Sequence, residues 1–238
     1  VGLLLPHNPY VCSRELFEEY MDRLPAGEPA ETADEHPAVK AMKETRGTDR
    51  ILPEDARRSR AAYYGLVTTL DRNIGRMMDA LRDAGLDRDT IVCYTSDHGE
   101  LCGEHGMWWK DSFYEGSVRV PMIWSCPGTV AEGAVSQDVT SLLDISATLT
   151  DFADAPPLPN GRGRSLRELI TTGMAPEDKE NEAFAETYAL GQRPARMLVR
   201  GHHKLNAYHG YEDVQLFDLD ADPEERSDLS RDPASADI

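Results

Sequence analysis

Residues 61–98 read AAYYGLVTTLDRNIGRMMDALRDAGLDRDTIVCYTSDH, and this run decides the fold. Tyr63, Val67, Leu70, Ile74, Met77, Met78 and Leu81 recur at threes and fours, the period of one helix face. The pattern reaches back to Pro53, suited to a first helical turn, and forward to Gly85, suited to the position just past a helix end. Such a helix would span ~48 Å at 1.5 Å per residue, so a bend near Gly65 or Gly75 is expected. After a short turn, residues 90–95 (TIVCYT) are apolar and β-branched, a strand signal. A long helix feeding a strand is half of a βαβ unit and predicts an α/β fold with a mainly parallel sheet flanked by helices. Asp97 and His98 then fall just past the strand's carboxyl end, where open α/β sheets bind ligands.

Working outward, residues 1–5 form a short apolar run ending at Pro6 and read as a buried strand. Ser13 suits a helix cap, with Leu16, Phe17, Tyr20, Met21 and Leu24 on one face behind it. Residues 26–50 carry no apolar periodicity and read as a surface excursion. Residues 118–124 (VRVPMIW) predict a strand, with Pro121 marking its start or an edge. Residues 142–152 predict an amphipathic helix opened by a Ser141/Asp144 capping box, and Ser165/Glu168 suggests a second box. Beyond about residue 183, AFAETY, ARMLVR, KLNAYH and VQLFDLD are separated by polar turns. They predict a small C-terminal α+β subdomain built on an antiparallel sheet. The expected division is residues 1–175 and 176–238.

The chain has 238 residues, 40% hydrophobic, and a formal net charge of −18. That charge argues against nonspecific nucleic-acid binding, which needs a basic surface. No apolar run approaches the ~20 residues of a membrane span. Nothing separates a cytoplasmic from a periplasmic or secreted location, and nothing speaks to oligomeric state. Lysine occurs only at positions 40, 43, 110, 179 and 204, which draws attention to Lys110. Cys12, Cys93, Cys102 and Cys126 form no CxxC pair and suggest neither a disulfide framework nor a zinc knuckle.

Residues 96–110, SDHGELCGEHGMWWK, hold the densest chemistry. An Asp oxygen and a neighbouring His nitrogen can reach one metal if the backbone turns sharply, which Gly99 would permit. Lys110 could bind an anionic ester oxygen. On spacing alone, Asp97-His98-Gly99 also reads as a strand-terminating turn and His7 as an ordinary loop histidine.

The run YTSDHGELCGEHGMWWKDSFYEGSVRVPMIW resembles the sulfatase family of the alkaline-phosphatase-like superfamily, in the texture of arylsulfatases, choline-sulfatases and phosphonate monoester hydrolases. LLLPHNPY looks like that family's Pro-His-x-Pro element. RMLVRGHHKL and QLFDLDADPEERSDL resemble its C-terminal subdomain. The resemblance covers nearly the whole chain. It implies an alkaline-phosphatase-like fold, incomplete here, and a hydrolase that cleaves small-molecule sulfate esters. It implies Asp97 and His98 as ligands of a divalent metal, and Lys110 as a contact to the sulfate. His7 would contact the same oxygens and protonate the leaving group, and His105 would line the site. Calcium is the family's usual metal, while an imidazole ligand suits Mn²⁺ or Zn²⁺ better. Glu115 and Arg119 match the family pattern in YEGSVRVP and are expected to form a buried structural pair. His202-His203 reads as a turn or strand-end pair rather than a second metal site.

Family members carry a cysteine, converted to formylglycine, in Cys-x-Pro/Ala-x-Arg. None of the four cysteines fits: after Cys12 the two defining positions are Arg14 and Leu16. An Asp-Asp pair expected to complete the metal shell is also absent. The expectation is therefore the C-terminal part of a longer sulfuric ester hydrolase with its formylglycine upstream, weak in metal binding and inactive alone. The alternatives are a phosphonate or phosphate ester hydrolase on the same scaffold, or a noncatalytic relative.

Overall fold

The computed structural model describes residues 1–25, 35–176, 181–188 and 194–238, which form two compact units. No helix among them is long and apolar enough to cross a membrane.

The first unit contains Lys43–Thr90, Glu100–Trp109 and the N-terminal segment. Ser13 caps α1 (Arg14–Arg23), its hydroxyl accepting from the Leu16 amide. Residues 37–46 form α2 (Pro37–Arg46), and α3 (Pro53–Asp83) runs continuously through Gly65 and Gly75. Gly85, at φ +68°, ends α3 as expected. At Gly65 the need is for space: a Cβ there would lie 2.6 Å from Cys12 Sγ and 3.3 Å from Leu16 Cβ. The bare backbone thus lets α1 lie against α3. Arg57 on α3 ties down the far end of α1 by donating to the Met21 and Leu24 carbonyls at 2.6 and 3.2 Å. A short hairpin pairs β2 (Leu101–Cys102) with β3 (Trp108–Trp109), and Cys102 and Trp108 pack with Ala56 against Tyr10 and Tyr63.

Two sequence expectations change here. Residues 1–5 form no strand: no chain pairs with them among the described residues, and Val1, Leu3 and Leu4 are exposed. A strand without a neighbour has no ladder to satisfy its backbone. The excursion expected at 26–50 contains α2, with Ala38, Val39 and Met42 buried; residues 26–34 lie outside the described set. His36 opens that helix, Nδ1 accepting from the Ala38 amide at 3.1 Å while Nε2 donates to the Asp213 carbonyl.

The second unit includes residues 35–42, with His36 and the start of α2, together with Ile91–Gly99 and Lys110–Ile238. Its β1 (Val92–Thr95) pairs with β4 (Met122–Ser125). The pairing is antiparallel, and no strands of the described residues pair in parallel. Pro121 sits just ahead of β4, and residues 115–118 form a single helical turn, α4 (Glu115–Val118), where a strand was expected to begin. The Ser141/Asp144 capping box opens α5 (Leu142–Phe152). Buried Asp144 also accepts from the Arg164 amide at 2.8 Å. The second box does not form: Ser165 lies ahead of the cap of α6 (Arg167–Thr172), its hydroxyl accepting from the Arg167 amide and donating to Asp151.

The expected meander is present. β5 (Glu182–Thr187), β6 (Ala195–Arg200), β7 (His203–Tyr208) and β8 (Val214–Asp218) form an antiparallel sheet in sequence order. Period-two alternation puts Met197, Lys204, Asn206, Gln215 and Phe217 on the buried face. That face is partly polar: Tyr208 donates to Gln215, whose amide donates to the Tyr114 hydroxyl, while the buried Asn206 side-chain amide has no hydrogen-bond partner among the described residues.

Candidate active site

The site begins where β1 ends. The Ser96 hydroxyl donates to the His98 carbonyl at 2.8 Å, folding the chain back on itself. Asp97 then projects into solvent, its side chain 86% exposed, while His98 is 27% exposed. His98 Nδ1 lies 2.7 Å from the Gly99 carbonyl. A carbonyl can only accept, so Nδ1 carries a proton, and in the neutral ring the lone pair is then on Nε2. Nε2 lies 3.5 Å from Asp97 Oδ2. Two electron-rich donors side by side, with the imidazole tautomer set by a backbone carbonyl, suit a divalent cation. The donor set therefore fits a metal, although two ligands fall short of the six or more oxygens or mixed donors that a hard cation takes.

The sharp turn does not come from a left-handed glycine, since Gly99 is not among the residues with positive φ. Its need is proximity. A Cβ on Gly99 would lie 2.2 Å from the Gly116 carbonyl oxygen, and the Gly99 amide donates to the Ser117 carbonyl at 2.7 Å. Ser117 also reaches the other way, its hydroxyl donating to the Lys110 carbonyl at 2.9 Å. One residue of α4 thus holds both the Asp97–Gly99 turn and the backbone of Lys110, whose own side chain is exposed.

What holds α4 was missed from sequence. The expected Glu115–Arg119 pair is present but loose and not buried: Arg119 is 70% exposed, its Nε 3.9 Å from Glu115. The i,i+4 spacing is right, but Arg119 faces water. The close, buried partner of Glu115 is Lys204, whose Nζ lies 2.9 Å from Glu115 Oε1 and 2.7 Å from Glu225 Oε1, with no solvent exposure. The other Glu225 oxygen accepts the Glu115 amide at 2.6 Å. Burial pushes the Glu225 carboxyl up, and Lys204 opposes that rise. The scarcity of lysine was the one signal that could have singled out Lys204.

His7 and His105 belong to the first unit. His7 is exposed, and its Nδ1 donates to the Asn8 carbonyl at 2.7 Å, the same device that orients His98. The loop's exit is fixed by Tyr10, whose hydroxyl donates to Glu100 and whose ring meets Tyr63 edge-on; sequence reasoning missed this clasp. His105 occupies the left-handed region at φ 54°, between Gly103 and Gly106, with its carbonyl accepting from Lys43. Cys102 is buried, and desolvation raises its thiol well above the ordinary range, as suits a bystander. No cysteine lies in a sequence that fits formylglycine formation, so this chain offers no residue for that group.

Comparison with known proteins gives family matches along the chain. Residues 3–155 match the sulfatase family model, and residues 103–238 match that of the C-terminal region of N-sulphoglucosamine sulphohydrolase. The choline-sulfatase of Rhizobium meliloti is 33% identical over 242 residues, 98% of this chain and 46% of its own length. The arylsulfatase of Clostridium perfringens is 32% identical, over 96% of this chain and 48% of its own. The chain thus spans about half the length of the curated relatives it matches. Among solved structures, the phosphonate monoester hydrolase of Silicibacter pomeroyi superposes with a TM-score of 0.83 at 26% identity, covering 98% of this chain and 51% of that one. A protein solved with its substrate D-glucosamine-2-N,6-O-disulfate gives 0.74 at 25% identity, covering 84% and 42%. With matches along its length and the alkaline-phosphatase-like architecture of these neighbours, the chain belongs to the sulfatase family.

Proposed function

We propose that this chain supplies the C-terminal part of a metal-dependent sulfuric ester hydrolase, with Asp97 and His98 as two of the metal's ligands and Lys110 as the anion contact. The observation that carries this reading is Ser117. It grips the ligand-bearing turn and the Lys110 backbone together, so both are positioned by one rigid turn.

A divalent cation held there would stabilise negative charge on the ester. Calcium follows from family membership, and Mn²⁺ or Zn²⁺ from the imidazole donor. Lys110 would hold an equatorial sulfate oxygen by charge-assisted hydrogen bonding as the ester bond breaks. His7, whose Nδ1 donates to the Asn8 carbonyl, would in its doubly protonated form give the Nε2 proton to the departing oxygen. His105 would line the site. No step is assigned to a nucleophile, because the formylglycine motif is not among these residues. We assign it to residues outside the 238, and residues 1–175 and 176–238 to the catalytic domain and its C-terminal subdomain.

Phosphonate or phosphate ester hydrolysis is the second reading, favoured by the likeness to the Silicibacter pomeroyi enzyme. The test is side-by-side kinetics of the longer protein on aryl sulfate and phosphonate esters, with Lys110→Ala as the variant. A drop in kcat/KM of at least tenfold for the preferred ester is expected. Unchanged kinetics in Lys110→Ala, or turnover by residues 1–238 alone, would overturn the reading.

A further inference from the structure

The turn between β6 and β7 holds a second group of donors that the proposed reaction does not use. Arg200 and His203 face each other as the last pair of the hairpin, leaving Gly201 and His202 as the turn. Gly201 takes φ +59°, the left-handed conformation such two-residue turns need. The Leu219 amide donates to the His202 carbonyl at 2.7 Å, which ties the turn to the chain leaving β8.

His203 and Asp218 are direct cross-strand partners in the β7–β8 register. Opposed residues of an antiparallel pair send their side chains to the same face, with Cβ atoms about 5 Å apart. The His202 ring comes to the same place, 4.1 Å from the His203 ring between centroids. One donor atom from each of His202, His203 and Asp218 lies within 4.8 Å of the other two.

The surroundings favour a cation. Asp218 Oδ1 accepts the Asp220 and Ala221 amides at 3.0 and 3.1 Å, so the carboxylate is already oriented. Asp220 adds a second negative group, its Oδ2 4.0 Å from His202 Nδ1. The neighbouring positive group, Arg200, is engaged by Glu182 at 2.8 Å.

We propose that His202, His203 and Asp218 bind one borderline divalent cation, Zn²⁺ being the representative. Two imidazoles and a carboxylate are the donor set of Zn²⁺, Ni²⁺ or Cu²⁺, whereas Mg²⁺ and Ca²⁺ prefer all-oxygen shells. Zinc bonds of about 2.0–2.1 Å put tetrahedral ligands roughly 3.4 Å apart, so these side chains must close by about an ångström. The partial exposure of all three leaves room for that movement. Three protein ligands leave the fourth position to water. The bound ion would clip the β6–β7 turn to the end of β8.

The experiment is calorimetric titration of tag-free protein with ZnCl₂, in a background carrying Asp97→Ala and His98→Ala. One equivalent of Zn²⁺ should bind. His202→Gln and His203→Gln, placed at an exposed or half-exposed strand end and turn, should each weaken it tenfold or more with an unchanged circular dichroism spectrum. His209→Gln, at the other end of β7, should leave it unchanged, and CaCl₂ should give no binding heat. Asp218→Asn should weaken binding too, but it also alters the turn after β8, so the histidine variants decide. Absence of Zn²⁺ binding in that background, or binding indifferent to both histidine substitutions, would overturn the proposal.

Discussion

Replacing Lys204 by methionine should destabilise the C-terminal sheet by about 3–5 kcal/mol at neutral pH, the range for breaking a buried ion pair by deleting one partner. Lys204 is fully buried and lies within 3 Å of two carboxylates, those of Glu115 and Glu225. Methionine keeps most of the volume, so the loss is electrostatic rather than a cavity. It leaves Glu225, 1% exposed, beside Glu115 with no cation between them. Glu225 can escape only by taking up a proton. Its folded-state pKa is already raised by burial, with Lys204 as the main opposing influence. Removing Lys204 raises it further. A carboxyl with a raised folded-state pKa contributes stability that is present below its unfolded pKa and lost as pH rises through the folded value. The deficit of Lys204→Met relative to the parent must therefore be largest near pH 8 and shrink toward pH 5. Urea unfolding followed by circular dichroism, run on both proteins at four pH values across that range, measures it. Adding Glu225→Gln should recover part of the loss, because an amide is neutral at every pH. A deficit below about 1 kcal/mol at pH 8, or one that does not narrow on acidification, would refute the assignment of Lys204 as the centre of a buried ion triad.

Further outcomes follow from the same geometry. Gly99→Ala should cost about 1–3 kcal/mol, as overpacking does, because its Cβ meets a backbone oxygen that can move only with α4; thermal unfolding reads it, and a neutral result would mean α4 is not clamped there. Asp97→Asn with His98→Ala should abolish Mn²⁺-induced broadening of amide resonances around residues 96–99 while shifting Tm little, since Asp97 is largely solvated. Gly65→Ala should destabilise α1 against α3 by about 1–3 kcal/mol, and Cys12→Ala should relieve part of it, so a double-mutant cycle should show coupling. Cys12 should react with a thiol reagent in the native protein well before Cys102, which is buried with a raised pKa and should react only on unfolding.

Much of the fold was legible because its signals are local. The apolar spacing of residues 63–81, Pro53 and Gly85 define α3, and Ser141 with Asp144 defines the start of α5. Each depends on residues within a few positions of one another. The four C-terminal strands were legible for the same reason, as alternating segments between polar turns. Residues 1–5 failed because an apolar run becomes a strand only beside another. Helix α2 was missed because its charged composition concealed three buried apolar residues.

By itself, the sequence determined which side chains crowd the end of β1 and that Asp97 and His98 follow its carboxyl end. Only the tertiary structure decided what those side chains can do. Gly99 earns its place through contact with Gly116, and the glutamate of α4 finds its buried cation in Lys204, 89 residues on, while Arg119 one helical turn away stays exposed at 3.9 Å. An ion pair between neighbours on a surface turn gains little in water, while burying Lys204 requires two carboxylates converging from distant segments. Proximity in the chain could not reveal that convergence, because it is made by the register of the C-terminal sheet.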